Sequence, residues 1–240
     1  MIAFGRFLQC SGEQLDLLGL AGLLLDIGKI NVPNAILQKQ GALTADEFEL
    51  AKTHVLQSVE LLRAAPELPR GLEDIVLQHH ERLDGSGYPR QLRGDQLTLG
   101  DKIAGMVDNY SALTSVRPYA AQASPSSALS LLHKMRGRLF DAALVEQFIQ
   151  CIGVYPVGST VELNTGEIGV VIAQNPVRRL QPRVMVILDG SGKPLAHRRI
   201  LDLIKEPKAK ADEPYRIQRT LPTDMVPIER EEILAHVTRH

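Results

Sequence analysis

The sequence predicts a mainly α protein: a helical bundle followed by a small C-terminal antiparallel β extension. Three observations carry this expectation. Up to Gly153, apolar residues recur at helical spacing in segments opened by capping signals and closed by glycine or proline. After Gly153, short β-branched runs alternate with turn residues. Leu15 to Leu25 is apolar nearly all round, as expected of a helix buried at the centre of a bundle.

The elements follow in order. Ser11-Gly12-Glu13-Gln14 is a capping-box pattern, and Leu15 to Leu25 is apolar nearly all round, which predicts a buried central helix ending at Asp26. Asn31-Val32-Pro33 breaks it. Thr44 to Glu47 is a second capping box, opening one helix that carries His54 and ends before Pro66. Gly71 to Glu81 predicts a third helix, delivering His79 and His80 to a turn. Leu99 to Leu113 predicts a fourth, carrying Asp108. Ser124-Pro125 starts a helix to about Arg136, with proline at its first position. Asp141 caps a last helix that ends at Gly153.

Beyond it, Thr160 to Leu163, Ile168 to Ala173 and Val184 to Leu188 read as strands, with turns at Asn164-Thr165-Gly166 and Asp189-Gly190-Ser191-Gly192. The extension is expected to end near Ile204. Lys205 to Pro214 reads as a linker, and Ile228 to Val237 as a short amphipathic helix in the tail. The expected division is therefore 1–153, 154–204 and 205–240.

Composition excludes several classes. A net charge of −1 gives no electrostatic case for a nucleic-acid polymer or a membrane surface. No apolar run is long enough for a transmembrane span, and the first residues lack a signal-peptide pattern, so the expected location is cytoplasmic. The two cysteines, Cys10 and Cys151, are expected as buried free thiols. Arg178-Arg179 and Arg198-Arg199 read as solvated loops. His133, His197, His236 and His240 read as surface residues.

The chemistry concentrates at residues 79–89, His-His-Glu-Arg-Leu-Asp-Gly-Ser-Gly-Tyr-Pro. Adjacent helical side chains diverge by about 100°, so two neighbouring imidazoles can serve two neighbouring metal ions, or one metal and one phosphate, but pack poorly together in an apolar core. Gly85 and Gly87 let the backbone turn sharply and approach a ligand. A solvated helix end is the plain alternative. Asp26, His54 and Asp108 fall at or near ends of separate apolar helices, where an acid is costly unless paired or metal-bound. Three histidines and two aspartates form a donor set suited to manganese, iron, zinc or nickel. Asp26 is the candidate bridge between two ions.

At this point the chain resembles the HD-GYP phosphohydrolases. That family's pattern is matched by Asp26 to Lys29, by Lys52 and His54, by residues 79–89 in full, and by Asp108 to Tyr119. Ile36 to Lys39 and Gly41 to Phe48 are also similar. The likeness covers roughly residues 5–153. The resemblance implies an HD-type helical bundle and metal-dependent hydrolysis of cyclic di-GMP. It implies Asp26, His54, His79, His80 and Asp108 as metal ligands, Lys29 and Asp108 as catalytic residues, and Lys29, Gly85, Gly87 and Tyr88 as substrate-binding. As plain alternatives, Lys29 is a helix-end cation and Tyr88 packs its loop. Glu81 and Asp84 are read as groups that orient the histidines.

Three departures shape the functional expectation. Leu25 stands where the family has its signature histidine. Ser111 stands for the second aspartate of the last motif. Met1 to Cys10 contains no His, Asp or Glu to match an upstream family ligand, so the N-terminal helix is expected to be incomplete. The expectation is a degenerate phosphohydrolase domain holding one divalent transition metal (Fe, Mn, Zn or Ni) or none, with weak or no phosphodiesterase turnover. The alternative is a non-catalytic module that senses cyclic di-GMP or docks a partner such as a diguanylate cyclase domain.

Overall fold

The computed structural model describes residues 1–65, 67–115, 123–175, 178, 180–205, 207–210, 213–222 and 225–226. The helices are α1 (Ile2–Phe7), α2 (Gly12–Leu24), α3 (Asn34–Leu37), α4 (Ala45–Lys52), α5 (His54–Arg63), α6 (Leu72–Gln78), α7 (Leu99–Thr114), α8 (Pro125–Met135) and α9 (Ala142–Ile152). The strands are β1 (Thr160–Leu163), β2 (Ile168–Ala173), β3 (Arg183–Leu188), β4 (Pro194–Asp202), β5 (Lys208–Lys210), β6 (Glu213–Pro214) and β7 (Ile217–Leu221). The chain divides into two compact units, Met1–Ala121 with Leu131–Cys151, and Gln122–Ser130 with Ile152–His240.

Local chemistry sets the helix starts. At α2, Ser11 Oγ accepts from the Gln14 N–H, and the Gln14 side chain accepts from the Ser11 N–H. Thr44 and Glu47 make the same reciprocal pair at α4, and Thr98 and Asp101 at α7. Each box satisfies donors that a helix start leaves without partners. The first unit's core joins α2, α5, α6 and α7 through Ala21, Leu25, Val55, Val59, Leu62, Leu72, Ile75, Val76 and Ala104.

The structure corrects the sequence reading in several places. α2 is not buried all round: Leu18 and Ala21 are buried, while Leu23 is 80% exposed. Periodicity cannot show that a uniformly apolar helix packs on one side only. The single helix expected from Thr44 is broken at Thr53, whose hydroxyl donates to the Leu50 carbonyl at 2.7 Å and whose residue is the cap between α4 and α5. α1, six residues long, lies in the stretch where an incomplete N-terminal helix is expected; α3 is a single turn behind Pro33, too short for periodicity to reveal. Cys10 and Cys151 are free, but half-buried rather than buried.

In the second unit, five strands form an antiparallel sheet in the order β4-β3-β2-β1-β7. Val161, Leu163, Val171, Val184, Val186, Leu201 and Leu203 form its main core. The β part runs further than Ile204: β7 pairs with β1, and β5 with β6 within the stretch read as a linker. Those segments are short and polar; β7 owes its strand form to pairing with the distant β1, and β5 and β6 to pairing with each other. The tail helix expected at 228–237 lies outside the described residues, as do Arg179, His236 and His240. Among the described residues no helix is long and apolar enough to cross a membrane.

Candidate metal centre

Asp26 follows the end of α2 and caps a short 3₁₀ turn, Ile27–Asn31. That turn lies directly on the start of α5. A Cβ at Gly28 would collide with the His54 carbonyl and the Ser58 amide, so only glycine fits. The Gly28 N–H donates to Ser58 Oγ at 2.8 Å. Lys29 Nζ donates to Asp26 Oδ2 at 2.6 Å.

His54 begins α5, and His79 and His80 follow α6. His54 Nδ1 lies 2.6 Å from the Ala51 carbonyl, and His79 Nδ1 lies 2.6 Å from the Val76 carbonyl. A carbonyl only accepts, so each Nδ1 carries the proton and donates. In the neutral ring each Nε2 then holds a lone pair. Both point toward Asp26 Oδ1, His54 Nε2 at 3.3 Å and His79 Nε2 at 4.0 Å. These three buried atoms have no hydrogen-bond partner. His54 and Asp26 form an ion pair only when the ring takes a second proton; otherwise acceptors face acceptors. One ring nitrogen of His80 completes a quartet whose donor atoms all lie within 4.8 Å of one another.

The electrostatics suit a cation. Burial lowers the His79 pKa to about 4, the Asp26 charge only partly opposing it. Burial, with His79 and His54 beside it, lowers His80 to about 2. Both rings are therefore neutral at neutral pH, with a lone pair available to a cation. Burial works against the Asp26 charge, yet the His54 ring beside it and the Lys29 ammonium bonded to it hold the carboxyl well below the usual carboxylate range. Buried lone pairs without donors beside an anionic carboxylate are what a divalent transition ion satisfies, so these residues fit such an ion.

The loop after His80 forms one wall of an open groove. Gly87 lies against the backbone of His80, Glu81 and Arg82, where a Cβ would clash. The Tyr88 ring stacks on His80 with centroids 4.7 Å apart. The Glu81 carboxylate accepts from the Arg90 N–H at 2.6 Å and the Leu92 N–H at 3.0 Å, fastening the loop. The groove, about 700 Å³, is lined by Phe48, Lys52, His80, Arg82, Gly87 and Tyr88 among others. Lys52 Nζ stands 4.6 Å from the Phe48 ring centre and 5.3 Å from that of Tyr88.

Four of the five expected ligands therefore come together: Asp26, His54, His79 and His80. Asp108 is not one of this quartet; its charge acts on Arg82 and Tyr88. Gly87 and Tyr88 line the groove, whereas Gly85 turns with φ +78° against Arg93. Lys29 is paired with Asp26. Asp84 accepts from the Ser86 N–H and hydroxyl, a local turn contact. Leu25 packs in the apolar core and Ser111 is exposed. The sequence reading missed Ser58, Arg82, Phe48 and the groove role of Lys52. The four-residue spacings of Phe48 with Lys52 and of His54 with Ser58 were the available signals.

Comparison with known proteins agrees with this geometry. Residues 3–144, more than half of the chain, match the family described as HD domain. The chain belongs to the HD domain family, as a member of the HD-GYP type. Residues 160–217 of this HD protein match a KOW domain associated with HD domain. A cyclic di-GMP phosphodiesterase of Pseudomonas aeruginosa is 37% identical over 203 residues, covering 85% of this chain and 49% of the relative. A 3'3'-cGAMP-specific phosphodiesterase of Vibrio cholerae is 34% identical over 139 residues, covering 58% of this chain and 27% of that protein. The HD protein thus spans about half the length, or less, of these relatives. The solved structure of Bd1817, an HDG"Y"P protein from Bdellovibrio bacteriovorus, aligns with TM-score 0.51 at 18% identity, over 60% of this chain and 46% of that one, and shares the fold.

Proposed function

We propose that this HD-GYP-type protein is a degenerate metal-dependent phosphohydrolase of cyclic di-GMP signalling, with weak turnover. One observation carries the reading: two imidazole Nε2 atoms and a carboxylate oxygen, all buried and lacking hydrogen-bond donors, converge with a third histidine within 4.8 Å. Four donors fill the coordination of about one ion. Asp26, His54, His79 and His80 would hold it; a bound iron, manganese, zinc or nickel ion supplies Lewis-acid activation of water and of a phosphoryl oxygen.

The protein's own residues do the rest. Lys29, released from Asp26, pairs with a substrate phosphate. Gly87 lets the chain close on the groove, and Tyr88, Lys52 and Arg82 present aromatic and cationic surface to a cyclic dinucleotide. Asp108 balances the Arg82 charge beside Tyr88. The relatives named for cyclic di-GMP make that the first substrate to test, with 3'3'-cGAMP as the comparison. The proposed setting is the cytoplasm.

A second reading is a non-catalytic module that senses cyclic di-GMP, or docks a diguanylate cyclase domain through Asp84 to Pro89. The burial of Leu25 in apolar core favours it, because that position offers no ligand. Elemental analysis together with cyclic di-GMP hydrolysis separates the two. The first reading expects about one ion per chain and turnover well below the order of 1 s⁻¹. Nucleotide binding with no hydrolysis supports the second. Protein that binds neither metal nor nucleotide refutes both.

A further inference from the structure

We propose that Ser58 is a positioning residue for the metal centre. Its hydroxyl clasps the chain on both sides of Asp26 and sets how far that carboxylate stands from His54. The inference rests on the metal-binding reading above.

Ser58 is wholly buried. Its Oγ donates to the Leu25 carbonyl at 3.0 Å and accepts from the Gly28 N–H at 2.8 Å. The Leu25 carbonyl belongs to the end of α2, where acceptors lack helical partners, and the Gly28 N–H opens the 3₁₀ turn, where donors do. One hydroxyl satisfies both groups, and Asp26 lies between them. Ser58 is also four residues after His54 on α5, and so one turn along the same face. The residue that grips the Asp26 loop is thereby rigidly tied to the histidine that Asp26 must meet.

The need for a grip follows from the charges. With a neutral ring, Asp26 Oδ1 and His54 Nε2 are two acceptors 3.3 Å apart, which attract no closer approach on their own. Something else holds them there. Gly28 supplies one half of the hold by removing the Cβ that would lift the turn off α5. The Ser58 hydroxyl supplies the other half by bonding the turn down on both flanks. Loss of such supporting contacts costs a metal site affinity while its ligands stay intact.

The test titrates zinc(II) into metal-free wild type, Ser58→Ala and Ser58→Thr by calorimetry, with a thermal melt of each sample. Ser58→Ala is expected to weaken zinc binding at least about tenfold, and Ser58→Thr, which keeps the hydroxyl, to restore most of it. A purely structural role would lower the melting temperature of Ser58→Ala and leave the zinc affinity of the folded protein unchanged; that result overturns the proposal. Should Ser58→Ala fail to fold, Ser58→Cys keeps the side-chain shape at a somewhat larger volume, weakens both hydrogen bonds and carries the same expected loss. Crystals of the metal-free variants give a second readout that needs no ion. The Asp26 Oδ1 to His54 Nε2 distance is expected to lengthen beyond 3.3 Å when the hydroxyl is removed, and an unchanged distance overturns the proposal. Wild type that binds no zinc refutes the metal reading alone and leaves that distance to decide the role of Ser58.

Discussion

At the scale of single residues, the centre is made by what the histidines bond on their far side. Nδ1 of His54 and of His79 is tied to a backbone carbonyl one turn back, which fixes the tautomer and turns each Nε2 toward Asp26. His79→Ala removes one lone pair and is expected to lower zinc affinity by about tenfold or more, read by calorimetry at pH 7.5 on folded protein. Titration gives an independent check on burial. His79 and His80 have folded-state values of about 4 and about 2, below the ordinary 6.5. The unfolded chain therefore binds more protons between those values, and stability must fall as pH falls. In chelator, the urea midpoint is expected to be highest above pH 6.5 and to drop steadily toward pH 4. A midpoint that rises on acidification to pH 5 would mean these rings are charged and paired in the fold. The contiguous stretch 79–89 was legible in the sequence because chemistry at adjacent positions needs no fold to be seen. Ser58 was not, because a serine on a helix face has no signature until another element arrives against it.

At the scale of elements, capping boxes explain why α2 and α4 begin where the sequence places them. Their bonds are local, so composition alone reports them. The break at Thr53 and the pairing of β7 with β1 escaped the reading because each depends on distant partners or on a side chain's choice between equivalent bonds. The loop from Gly85 to Arg93 is held in a way the sequence only hinted at: among the described residues the Glu81 carboxylate accepts the Arg90 and Leu92 amides and bonds no histidine. Glu81→Ala is expected to cost roughly 1–3 kcal/mol by stranding those donors. It should speed hydrogen exchange at Arg90 and Leu92 far more than at α6. Equal protection in both proteins would show that the loop is held by other contacts.

At the scale of the whole molecule, the first unit carries all four candidate ligands, and its core of α2, α5, α6 and α7 brings their ends to one place. A ligand that binds only the folded state adds stability by mass action, about 2.7 kcal/mol at a hundredfold excess over its dissociation constant. Zinc or manganese is therefore expected to raise the melting temperature in a concentration-dependent way, and a chelator to reverse the rise. A midpoint indifferent to either ion would contradict a folded-state site. The most direct measurement is an anomalous difference map from crystals grown with zinc or manganese. The account expects one peak in the first unit, bounded by Asp26 Oδ1, His54 Nε2, His79 Nε2 and a ring nitrogen of His80. A peak elsewhere, or none at full soaking, would contradict it.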